Sequence, residues 1–149
     1  MSEASALGTH PQSARSMTRH LPTAARLLLG FVFVLFGLNG FFQFLPQPSN
    51  IPEPAMAFAG ALLKAGYMFP LIKGTEVVAG TLLLSNRFVP LALALLAPNV
   101  VNILAFHAFL APAGVGLALF VLVLEVYLAW AYRDAYRPML AARAVPSHK

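Results

Sequence analysis

"AARLLLGFVFVLFGLNGFFQFL" (Ala24–Leu45) contains one charge, Arg26, in an otherwise apolar or weakly polar run. As a helix rising ~1.5 Å per residue, such a run is long enough to cross a hydrocarbon core of ~30 Å. A cleaved signal peptide is the rival reading. The run is longer than a typical signal-peptide core and no A-x-A site follows it, so a retained membrane span is expected.

The rest of the chain agrees with that choice. Of 149 residues, 59% are hydrophobic and only 10% charged, with a mean hydropathy of +0.74. A soluble domain carries about 25% charged residues, so too little polar surface exists here to coat a water-soluble globule. Cysteine is absent, which excludes disulfides and thiolate metal sites. No metal site is expected from the remaining residues. Basic residues outnumber acidic ones ten to five. They flank apolar runs rather than forming a stripe: Arg15, Arg19 and Arg26 sit before or at the start of the first run, and Arg133, Arg137, Arg143 and Lys149 follow the last. That placement orients a membrane protein and argues against a nucleic-acid partner.

Outward from the first run, "PQPSNIPEP" (Pro46–Pro54) is a proline-rich loop that continues neither neighbouring helix. Ala55–Ala65 predicts a short interfacial helix ended by Gly66. A second span starts near Pro70 and ends at Leu84, short enough that the interfacial piece is expected to join it across a kink. "SNR" (Ser85–Arg87) makes a turn. A third span covers Phe88–Leu110, with Pro98 inside it, and "APAG" (Ala111–Gly114) turns into a fourth, Val115–Tyr132.

The expected fold is therefore all-α: a polytopic membrane four-helix bundle over residues 24–140. It lies between a disordered cytoplasmic tail (1–23) and a C-terminal cytoplasmic tail (141–149). Both termini, Arg87 and the C-terminal basic cluster share one face, whereas the 46–54 loop holds Glu53 and no Lys or Arg, so the termini are expected in the cytoplasm. "NGFFQFLP" (Asn39–Pro46) and "NILAFHAFLAP" (Asn102–Pro112) are alike, as are "TEVVAG" and "LEVYLA". A tandem pair of helical hairpins is one reading of this likeness; chance among apolar segments is the other.

Polar residues inside the spans are the candidate site. They are Asn39, Gln43, Lys73, Glu76, Asn99, Asn102, His107 and Glu125. Counted from the cytoplasmic ends, Glu76 and Glu125 lie about 12 Å in, Asn99 and Lys73 at about 16 Å, and Asn102 and Asn39 at about 21–23 Å. Overlapping depths on every span predict one polar cluster on the bundle axis, because such groups do not tolerate lipid. Lys73 and Glu76, three residues apart, are neighbours on one helix face. His107 is about 80° round its helix from Asn99 and about 140° from Asn102, so it does not share one stripe with both. Pro98 leaves the Ala94 carbonyl without its helical donor. One lysine between two glutamates leaves one carboxyl to carry a proton. Each group also has a purely structural reading, as interhelical hydrogen bonds or an ion pair. By default, though, an intramembrane ionisable residue is a candidate functional site.

"GFVFVLFGLNGFFQFLPQP" together with "AGYMFPLIKGTEVVAGTLLLSNRFVPLALALLAPNVVNILAFHAFL" resembles the DoxX family of small bacterial membrane proteins. The features that carry the resemblance are Glu76, the "NRFVPLAL" turn, Pro98–Asn99, Asn102, and His107 before Phe109. It implies a four-helix protein of the bacterial inner membrane. The family takes its name from a subunit of a thiosulfate:quinone oxidoreductase, which implies a redox-linked setting; thiol chemistry does not carry over to a chain without cysteine. Three functions stay open. One is an accessory subunit or scaffold partnering another membrane or redox protein. The second is a quinone or small-molecule site in which Glu76 and His107 carry protons while Lys73, Asn39, Asn99, Asn102 and Glu125 line the pocket. The third is a small-ligand transporter. Whether the chain is an enzyme is left undecided, and self-association is a further partner reading beside the lipid bilayer.

Overall fold

A computed structural model describes residues 12–46 and 48–143, with side chains from residue 20 onward. The described residues form α1 (Gln12–Phe42), α2 (Glu53–Lys64), α3 (Met68–Leu84), α4 (Val89–Phe109), a 3-10 turn (Pro112–Gly114), α5 (Val115–Ala131) and a single turn, α6 (Arg133–Tyr136). No strand occurs among them. The protein is an all-α polytopic membrane bundle.

Helix boundaries follow local chemistry. Pro90 stands in the first turn of α4, where its missing N–H is not needed. Gly66 at φ +77° turns the chain between α2 and α3, which meet at 92°. α1 starts inside the stretch expected to be tail: its backbone is helical from Gln12, and Ala14, Met17 and Leu21 are all good helix formers. The part of the expected tail before residue 12 lies outside the described residues, as do residues 144–149.

Among the described residues, three segments are long and apolar enough to cross a membrane: His20–Phe42, Val89–Phe109 and Pro112–Ala131. α2 and α3 pass the same test only together, across their bend. The four long helices pack in a ring, α1 on α3, α3 on α4, α4 on α5, and α5 back on α1. Leu29, Phe33, Leu83, Leu93, Leu96, Val100 and Leu128 fill the centre, while Phe31, Leu71, Val78, Leu91, Val101, Phe120, Val123 and Val126 are exposed. Apolar residues thus point both inward and outward, as lipid-facing helices require. α1 and α3 approach closely because glycine faces glycine. A Cβ built on Gly80 would lie 2.9 Å from the Gly30 carbonyl oxygen. Small residues at such crossings let backbones meet where no water drives association.

At the Ser85–Arg87 end of the bundle, Arg26 is buried. Its guanidinium donates to the carbonyls of Leu83 and Leu84, which end α3. The Leu83 carbonyl also accepts from the Asn86 N–H at 3.2 Å, and a cation suits the negative end of the helix dipole. The single charge of the first span therefore fastens α1 to the end of α3.

Candidate functional site

α3 presents Lys73 and Glu76 toward α1 and α5. Lys73 Nζ donates to Glu76 Oε2 at 2.8 Å, and the two side chains are 22% and 3% exposed. The lysine stem is held from the α1 side. A Cβ on Gly40 would meet its Cγ and Cδ at 2.6 Å, so only glycine leaves room for the methylenes to pass. Sequence reasoning did not single out Gly40, because its role depends on α1 lying against Lys73 of α3.

His107 ends α4 and turns inward over the 3-10 turn. Its Nδ1 lies 3.0 Å from the Ala111 carbonyl oxygen. A carbonyl only accepts, so Nδ1 carries the proton and Nε2 is left to exchange one. Gly114 makes room for the ring: a Cβ there would fall 2.1 Å from His107 Cε1. On the other side, Phe106 stacks edge-on to His107 at 5.2 Å and meets Phe58 of α2 at 5.8 Å.

Lys73, Glu76 and His107 line one cavity of about 170 Å³. Val32, Phe33 and Phe36 of α1, Ile103 of α4, and Leu117, Ala118 and Val121 of α5 complete it. All four long helices contribute, and its polar groups are one cation, one carboxylate and one imidazole. The helix angles on α4 kept His107 off the stripe of Asn99 and Asn102, and it faces instead the cavity that Lys73 and Glu76 of α3 line.

The other candidates lie elsewhere. Asn39 Oδ1 accepts from the Leu45 N–H at 2.7 Å, closing the end of α1, where Gln43 stands exposed at φ +50°. Asn102 is exposed on the outside of the bundle. Asn99 is half-buried and its Nδ2 has no hydrogen-bond partner. Glu125 does not share Lys73. It lines a second cavity between α4 and α5, and its Oε2 is buried without a partner. Tyr136 borders the same cavity and donates to the Pro90 carbonyl at 2.9 Å. Burial, and behind it the Glu125 charge, hold its phenol above the ordinary tyrosine range, which keeps it a donor. The expected single axial cluster is thus two compartments, because Val121 and Leu122, adjacent on α5, face different cavities. No group of three or more metal-binding side chains occurs among the described residues.

Apolar helices in a closed ring around buried charges define a multi-pass membrane protein. Residues 21–110 match the DoxX family, and the chain belongs to it. The matched residues include Lys73, Glu76 and His107 and stop short of α5. No curated protein and no solved structure matches the chain.

Proposed function

We propose that this protein is an accessory subunit of a redox-linked complex in the bacterial inner membrane, holding a quinone headgroup at Lys73, Glu76 and His107. It would cross the membrane four times, the bent α2–α3 pair supplying the fourth crossing, with both termini cytoplasmic. The observation that carries the reading is the convergence of a cation, a carboxylate and an imidazole with a free Nε2 in one cavity.

The cavity suits a ring and not a whole lipid. At about 170 Å³ it is smaller than the ~300–1,000 Å³ of a drug-sized pocket. Phe36 and Leu117 on its wall are exposed, so an isoprenoid tail would leave between them into lipid. When bound, a quinone supplies the redox chemistry, accepting two electrons and two protons to become a quinol. The chain's part is to hold and move protons. Lys73 would donate to a carbonyl oxygen, and Glu76 and His107 Nε2 would be the proton carriers. Electrons come from the partner protein, which joins the accessory and quinone readings into one.

The test is extraction of the detergent-purified protein and assay of the extract for co-purified quinone, followed by titration with a short-tailed quinone. Near-stoichiometric quinone, displaced by the added analogue, is the expected result. Protein that contains none and binds none would leave the ion pair as a helix fastening and the chain as a scaffold.

A further inference from the structure

The α4–α5 cavity is separate from the site above and larger, about 330 Å³. Leu93, Val100 and Leu122 form its apolar wall. Ala97, Val101 and Val126 on its rim are exposed, so it opens sideways between two membrane helices. Its one acidic group is Glu125, a residue only 6% exposed whose Oε2 has no hydrogen-bond partner.

Among the described residues, no group answers the Glu125 Oε2. The ion pairs among the described residues are Lys73 with Glu76 and Arg137 with Asp134, so neither lysine nor arginine pairs with Glu125. The Tyr136 hydroxyl is committed to the Pro90 carbonyl. A carboxylate in an apolar wall is costly unless it meets a cation or a proton. Volume, apolar lining and lateral access add what a small amphipathic molecule needs.

We infer that this cavity is a binding site for a lipophilic amine. The protonated amine pairs with Glu125, and its aryl or alkyl body lies along Leu93, Val100 and Leu122. It arrives from the bilayer, past Ala97 and Val126. The site uses none of Lys73, Glu76 or His107 and stands whether or not a quinone occupies theirs.

The experiment uses the full chain in lipid nanodiscs and two probes of nearly one shape, 2-phenylethylammonium and neutral propylbenzene. The wild type binds the ammonium at least tenfold more tightly. Glu125→Gln removes that preference, whereas Glu53→Gln, at the exposed start of α2, keeps it. Ala97→Phe fills the cavity from its exposed rim and weakens both probes without lowering Tm. If Glu125→Gln does not fold, the wild-type probe pair and Ala97→Phe still decide. Equal affinity of the two probes for the wild type, or a preference that survives Glu125→Gln, or binding indifferent to Ala97→Phe, overturns the inference.

Discussion

Removing either half of the Lys73–Glu76 pair leaves the other behind, and the damage depends on how deeply the survivor is buried. Glu76 is 3% exposed and Lys73 is 22% exposed. Lys73→Ala therefore strands the deeper charge. Breaking a buried pair by removing one partner costs about 3–5 kcal/mol, and this variant is expected within that range. Glu76→Ala strands a lysine that is partly exposed and has a flexible stem, so about 1–2 kcal/mol is expected, discounted for access to water. Replacing both leaves no charge, and the double variant is expected to be more stable than Lys73→Ala alone. The assay is a double-mutant cycle by reversible unfolding in mixed micelles at one pH, with the coupling energy read directly. Two single variants with equal losses below about 0.5 kcal/mol and no coupling would refute the reasoning, because exposed pairs behave in that way.

Arg26→Ala is expected to cost about 1.5–3 kcal/mol, the worth of charged hydrogen bonds to the Leu83 and Leu84 carbonyls, with Arg26→Lys recovering part of it; thermal unfolding of the three proteins checks this. Gly114→Ala should push the His107 ring off the Ala111 carbonyl at a stability cost of about 1–3 kcal/mol, and lower quinone retention with it, measured by Tm and by extraction. Reporter fusions at Asn50 and Ser85 are expected to report the periplasm and the cytoplasm respectively; a cytoplasmic signal at Asn50 would contradict four crossings.

Much of the fold was legible because span ends are written in proline, glycine and charge. Gly66, the 85–87 turn and the 111–114 turn stand where hydropathy breaks, and the helices end there. The bend between α2 and α3 was readable too, because the Pro70–Leu84 run is short for a crossing. The close approach of α1 to α3 was not readable: Gly30 and Gly80 acquire meaning only once the two helices are known to be neighbours. Within the site, the Lys73–Glu76 pair follows from three-residue spacing on one helix. Separation of Glu125 from that pair does not, since depth along a helix says nothing about which neighbour a side chain faces. Asn39 illustrates the same gap. At its depth it looked like a pocket group, yet it lies one turn from the end of α1 and closes that end on the Leu45 amide. Arg26 read as an orienting charge because it stands near the start of its span. Its burial against Leu83 depends on where α3 ends in space.

The most direct test of the proposed site is Glu76→Gln, assayed together for Tm and for bound quinone per protein. The amide keeps the size of the carboxylate and its reach toward Lys73, but neither ionises nor passes on a proton. The expected result is a protein that still folds and has lost quinone retention or its proton-coupled reduction by the partner. A Glu76→Gln protein with wild-type quinone content and turnover, or a wild type that never holds quinone, would contradict it.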